Sequence, residues 1–129
     1  MIILDTHIWI WWVQGDPRLT EKHQAWLQKY QVEGLGVSIF SCWEVTKLVE
    51  KGRIILPFPV EQWLNLALTY PGVRLLDLSV PIVLESSNLP GFHKDPADQI
   101  IVATARVLRC SLLTADEAIL SYSGVKTLR

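Results

Sequence analysis

The sequence predicts an α/β fold: a three-layer α/β/α sandwich around a central parallel sheet of about four to five strands, in one domain spanning residues 1–129. Three observations predict it. Short apolar segments with strand character alternate with longer segments of helical character, which calls for crossover connections and a parallel sheet. The strand segments are apolar throughout, as befits strands covered by helices on both faces. The length of 129 residues, half of them apolar and 19% charged, suits a single packed domain and not a disordered chain.

The elements follow in order. Ile2–Leu4 is a short buried strand, and a helix runs from it through about Val13. Gly15-Asp16-Pro17 is a turn, after which Thr20 caps a helix over residues 21–32. Leu35–Ser38 is the second strand. Ser41 starts a helix that closes at Gly52, a C-terminal glycine. Pro57 and Pro59 interrupt the chain before a helix with Trp63, Leu64, Ala67 and Leu68 on one face. Residues 73–78 read as a strand and 80–87 as a short helix. The loop Gly91-Phe92-His93-Lys94 leads into a helix over residues 96–109. A strand at Leu112-Leu113, a helical turn over 116–121 and a strand over 125–128 complete the chain.

Charge and cysteine content narrow the function classes. Twelve Lys+Arg against 13 Asp+Glu give a formal charge of −1, so nucleic-acid binding must rely on a local basic rim. No apolar run approaches the ~20 residues of a membrane span, and the N-terminus has no basic, cleavable leader. Cys42 and Cys110 lack metal-ligand spacing and read as buried free thiols of a cytoplasmic protein.

In parallel sheets, sites form beyond the carboxyl ends of the strands. Asp5 directly follows the first strand and Asp116 closely follows the Leu112-Leu113 strand, so both project from the same edge. Glu44 and Asp98 lie near helix starts. Each acid taken singly has an ordinary structural role. Ser41 and Glu44 have the spacing of a capping box. Asp95, Pro96 and Asp98 fit an N-cap, an N1 proline and an acid favoured by the helix dipole. Asp5 and Asp116 suit caps as well.

Together they suggest something else. Four carboxylates gathered at one edge repel one another unless a cation offsets the charge. Mg²⁺ and Mn²⁺ prefer such oxygen donors, and paired ions can activate a water for attack on a phosphodiester. Zinc is disfavoured, because His7, His23 and His93 form no H-x₃-H pair.

The stretches "LDTHIWIWW", "SCWEVTKL", "DPADQIIVATA" and "LLTADEAI" resemble, in order, the motifs of PIN-domain ribonucleases, in particular the VapC-type toxins of type II toxin–antitoxin pairs. The resemblance runs from Ile2 to about Leu120. It implies that Asp5, Glu44, Asp98 and Asp116 line the metal site and that Thr114 is a supporting hydroxyl. Asp5 and Asp98 would be the main ligands, with Glu44 and Asp116 completing the pocket directly or through waters. It further implies Mg²⁺- or Mn²⁺-dependent hydrolysis of single-stranded RNA by a metal-activated water, leaving a 5′-phosphate and a 3′-hydroxyl. A cognate antitoxin would wrap the toxin and obstruct the site. One departure concerns Gln99, where relatives often carry arginine after the second aspartate, and it bears on substrate contacts.

Other residues take plainer roles. Glu117 is a first-turn helix acid, Asp95 a cap and His7 a helix-packing group. Asp77 falls within a strand, and the remaining acids read as solvated surface. Lys47 and Lys94 are candidates for steering the scissile phosphate, with a solvated-surface role equally open. Six tryptophans and a positive mean hydropathy point to a homodimer as well as an antitoxin groove. The helices of Trp9, Trp11 and Trp12 and of Trp63 are the expected surfaces. Two other functions compete. A catalytically silent PIN-like module would bind RNA or protein only. A receiver-like phosphoacceptor would want adjacent acids after the first strand, where this chain has Thr6 and His7.

Overall fold

The computed structural model describes residues 1–93 and 95–129, so the candidate Lys94 lies outside the described residues. The elements are β1 (Ile2–Leu4), α1 (Thr6–Gln14), α2 (Glu21–Tyr30), β2 (Leu35–Ser38), α3 (Ile39–Glu50) and α4 (Val60–Ala67). They continue with β3 (Val73–Leu76), α5 (Val80–Ser86), α6 (Pro96–Leu108), β4 (Leu112–Leu113), α7 (Glu117–Leu120) and β5 (Thr127–Leu128). All strand pairs are parallel, in the order β3-β2-β1-β4-β5. The predicted fold class holds, with five strands.

Alternation along the central strands divides the interior into two cores. Ile2 and Leu4 of β1 face one cluster with Leu35 and Val37 of β2, joined by Ile8 and Trp9 of α1, Val45 of α3 and Trp63 of α4. Ile3 points the other way and packs with Leu112, with Ile101, Val102 and Ala105 of α6, and with Ile119 of α7. Each face of the sheet thus has its own helical cover. Helix α5 packs on α6 and leaves Val80, Val83 and Leu84 exposed. No helix among the described residues is long and apolar enough to cross a membrane.

Local signals explain most boundaries. Thr20 caps α2 as expected, and His23 completes the box by accepting the Thr20 N–H. Gly52, at φ 67°, follows α3 in the left-handed conformation that glycine tolerates. Helix α6 ends differently, on Arg109 at φ 55° where a glycine is usual.

Two expectations are corrected. Helix α3 starts at Ile39 with Ser38 as its N-cap, so Ser41 lies inside the helix and forms no capping box with Glu44. Strand β2 runs directly into α3, leaving no loop in which Ser41 could act as a cap. The second correction concerns the tryptophans. Trp9 and Trp63 are 0% and 2% exposed and pack edge to face, 5.2 Å apart, so they belong to the core and offer no docking surface. Of the thiols, Cys42 is buried as expected but Cys110 is only half-buried.

Candidate active site

Strand β1 lies at the centre of the sheet, with β2 on one side and β4 on the other. The chain fills one side of β1 before crossing to the other, so the carboxyl end of β1 is the topological switch point where such sheets open a crevice. Asp5 occupies it. The residue is 4% exposed and caps α1, its Oδ1 accepting the Thr6 N–H at 2.8 Å. Its Oδ2 accepts the Thr114 hydroxyl at 2.7 Å. Burial raises its pKa; His7, Thr114 and Thr6 oppose that rise, and the charge of Asp116 adds to it.

Thr114 connects two of the acids. Its hydroxyl donates to Asp5 and accepts the Asp116 N–H at 3.0 Å, tying the end of β4 to the end of β1. Asp116 caps the short helix α7 by accepting the Ala118 N–H at 2.8 Å. Glu117 beside it is exposed, in line with its reading as a helix acid.

Glu44 comes from the second turn of α3, deeper in its helix than the sequence suggests. The Thr6 hydroxyl donates to Glu44 Oε1 at 2.5 Å and lies 2.8 Å from the Ser41 hydroxyl. A threonine hydroxyl has one proton, so Ser41 must be the donor to Thr6 in this chain. Burial raises the Glu44 pKa, against the Thr6 hydrogen bond and with the charges of Asp5 and Asp95.

Asp98 stands in the first turn of α6. Asp95, the true N-cap, accepts the N–H groups of Ala97 and Asp98 at 3.0 and 3.2 Å. The Asp98 carboxylate lies 3.1 Å from His93 Nε2. Because the Asp95 N–H points to His93 Nδ1, the ring proton sits on Nε2, facing Asp98. Burial is the main reason the Asp98 pKa is pushed up to about 7, followed by the charges of Asp5, Asp95, Asp116 and Glu44. Gln99 reaches back to the His93 carbonyl at 3.2 Å, so at this departure from the expected arginine the side chain anchors the preceding loop.

The charges of the four predicted acids reach one another: Asp116 acts on Asp5, Asp5 on Glu44, and Asp5, Asp116 and Glu44 on Asp98. Among the described residues no three Asp, Glu, His or Cys side chains are already gathered around one ion position. The acids stand near one another without forming a ready-made cage. Their chemistry still fits a hard divalent cation. Every donor is a carboxylate oxygen, and such an ion offsets the repulsion that adds to burial in raising Asp98.

Sequence reasoning missed the hydroxyls of Thr6 and Ser41 and the imidazole of His93. Thr6 had a signal, as the first helical residue after a site aspartate. His7, read as helix packing, lies against Trp11 with ring centres 4.9 Å apart and planes tilted by 53°. It also accepts the Ala115 N–H on Nε2 at 3.0 Å, which leaves Nδ1–H directed at Asp5, 3.7 Å away. Lys47 pairs with Glu50 at 3.2 Å on the surface of α3.

The PIN-domain family model matches residues 2–125. The chain belongs to the PIN-domain family. This PIN domain is 30% identical over 122 residues to a protein named ribonuclease VapC22 from Mycobacterium tuberculosis, covering 94% of the chain and 91% of the relative. Among solved structures it is similar to VapBC2 from Rickettsia felis, bound there to a promoter DNA fragment. The TM-score is 0.74 at 15% identity, over 99% of this chain and 98% of that one. FitAcB from Neisseria gonorrhoeae has a TM-score of 0.70 at 23% identity, over 100% and 97%. A toxin–antitoxin complex from Klebsiella pneumoniae has 0.70 at 21%, over 100% and 97%. At these identities the structures establish the shared PIN fold.

Proposed function

We propose that this PIN domain is a VapC-type toxin, a Mg²⁺- or Mn²⁺-dependent endoribonuclease that hydrolyses single-stranded RNA in the cytoplasm and is held in check by an antitoxin. One observation carries the reading. Carboxylates at or near the starts of four helices, Asp5, Glu44, Asp98 and Asp116, lie about the switch point of the sheet, where burial and then their charges raise the pKa of Asp5, Glu44 and Asp98. The 30% identical relative named as a ribonuclease supports nuclease chemistry, and the similar VapBC and FitAcB complexes support an antitoxin partner.

Bound among these acids, Mg²⁺ or Mn²⁺ would supply the positive charge that offsets the phosphodiester and the developing charge on its leaving oxygen. The protein's own part is orientation. Thr114 holds Asp5 and positions Asp116, while the Ser41–Thr6 hydroxyl pair holds Glu44. Asp98 is steadied by the His93 Nε2–H, with Gln99 closing the loop beneath it. Asp5 and Asp98 would act as the main ligands, with Glu44 and Asp116 completing the set. The direct test is RNA cleavage by purified protein in Mn²⁺ against chelator, with mapping of the new ends. Metal-dependent cuts leaving 5′-phosphates are expected. Binding of RNA without cleavage in any divalent metal would favour the silent module.

Asp95 separates capping from chemistry. Asp95→Ala leaves the Ala97 and Asp98 N–H groups without their partner, and thermal melting should show a loss of about 0.5–2 kcal/mol. Cleavage should be largely preserved below the melting range. An inactive but stable Asp95→Ala protein would move this residue into the active site.

A homodimer is part of the proposal. Its surface is sought away from the buried Trp9 and Trp63, and the exposed Val80, Val83 and Leu84 of α5 provide the apolar contact it needs.

A further inference from the structure

Of the six tryptophans, Trp43 is the one that the fold leaves more than half exposed, at 53%. It sits on α3 immediately before Glu44, so its position relative to the acids is set by the same helix. Phe40, one turn earlier, stacks against the indole with ring centres 5.2 Å apart and planes inclined by 25°. The Lys47 ammonium, one turn later, lies 5.7 Å from the ring centre. A large apolar side chain is thus held by neighbours on its own helix and left exposed to solvent beside the candidate active site.

The ring borders a cleft of about 270 Å³ whose walls include Glu44, Lys47, Lys51, Arg53 and Asp95. Three cationic side chains therefore line one short channel in a protein whose formal charge is −1. Among the described residues the exposed Glu50 is the only ion-pair partner of Lys47, and Lys51 and Arg53 have none. These cations run out from the acid cluster, which by itself repels a phosphate chain. An aromatic face flanked by Lys and Arg is the combination that holds single-stranded nucleic acid, by base stacking and backbone neutralisation.

We infer that this cleft is a nucleotide subsite for single-stranded RNA: one base stacks on Trp43, while Lys47, Lys51 and Arg53 receive the backbone phosphates next to the scissile bond. The inference rests on the ribonuclease reading and adds to it a specific strand path along α3. An acidic peptide segment would also meet the cations. Stacking favours the nucleic acid, because every nucleobase offers a flat face to an indole and an acidic peptide requires none. The cations give this subsite its second purpose, drawing the phosphate chain toward carboxylates that would otherwise turn it away.

The test uses the full chain and fluorescently labelled uridylate or adenylate strands of about 12 nucleotides, within the span such grooves bind. Binding is measured in chelator, where cleavage is blocked, and cleavage is measured separately in Mn²⁺. Trp43→Ala should weaken binding by about 5- to 100-fold. It should raise KM far more than it lowers kcat, and Trp43→Phe should recover part of the loss. A strand of abasic nucleotides should bind wild type weakly and be indifferent to Trp43→Ala, since the lost contact is already absent. Lys51→Ala and Arg53→Ala should each reduce the slope of log affinity against log salt by about 0.7. Active wild type with unchanged affinity, KM and salt slope in these variants would overturn the subsite and leave the nuclease reading intact. Wild type that neither binds nor cuts RNA would overturn the nuclease reading, and the subsite with it. Variants that lose binding only to an acidic peptide, with RNA binding unaltered, would assign the cleft to a protein partner and overturn the subsite.

Discussion

Replacing Asp5 with asparagine is expected to reduce RNA cleavage by at least about 100-fold while leaving the protein folded. Loss of a residue that merely supports a metal ligand commonly costs 10- to 100-fold, so loss of a main ligand should reach the upper end of that range or beyond. The fold should survive for a local reason. The side-chain oxygen of asparagine can still accept the Thr6 N–H, preserving the cap of α1. Its amide can donate to the Thr114 oxygen where the carboxylate accepted from it. The change also removes a charge that burial disfavours, since Asp5 is 4% exposed. Melting in chelator should therefore stay near wild type or rise. Full activity of Asp5→Asn at saturating Mn²⁺ would exclude this residue as an essential ligand.

The second large effect is a pH-dependent stability set by Asp98. In the folded protein this group keeps its proton up to about pH 7, whereas its ordinary value is 3.8. Between those values the folded state binds more protons than the unfolded state, so stability falls as pH rises. The stabilisation is fully present below about pH 4 and is lost as pH climbs through about 7. Asp5 and Glu44, also raised, act in the same direction.

In chelator, wild type should therefore melt lower at pH 8 than at pH 5.5. Asp98→Asn should melt higher than wild type at pH 8, by roughly 1–2 kcal/mol once solvent screening of a partly exposed carboxyl is counted. Near pH 4, where the Asp98 carboxyl holds its proton in the folded and the unfolded state alike, the two should converge. Millimolar Mn²⁺ should raise the melting temperature of wild type at pH 8, because an ion bound only by the folded state adds its binding free energy to stability. The same ion should do little for Asp98→Asn. Parallel melting curves for the two proteins across pH 5–8, with no response to Mn²⁺, would mean that the acids do not repel one another strongly enough to form a cation site.

Capping patterns were legible where they are local and misleading where a distant partner competes. Asp95, Pro96 and Asp98 behave as their order along the chain suggests, because cap, proline and first-turn acid all lie within four residues. Ser41 and Glu44 have the same kind of spacing but different partners. The Thr6 hydroxyl, 35 residues before Ser41, engages both side chains once α1 and α3 pack together. His93 carried no local signal at all. Its link to Asp98 depends on how the loop before α6 turns, with Gln99 holding that loop from inside the helix. The tryptophans make the same point for packing. Composition announces an apolar surplus, but only the crossing of α1 and α4 places Trp9 and Trp63 edge to face in the core and leaves Trp43 outside.

By itself, the sequence determined the alternation of strands and helices, the parallel sheet and the edge to which Asp5 and Asp116 are carried. Those features follow from short-range periodicity and from the geometry of crossover connections, which any segment of the chain expresses on its own. Tertiary structure alone decided the strand order that puts β1 at the switch point, the hydroxyl bridges through Thr114 and Thr6, and the burial and neighbouring charges that lift Asp98. Each depends on groups far apart in the chain. Their interaction energy exists only after burial has removed the intervening water and lowered the dielectric between them.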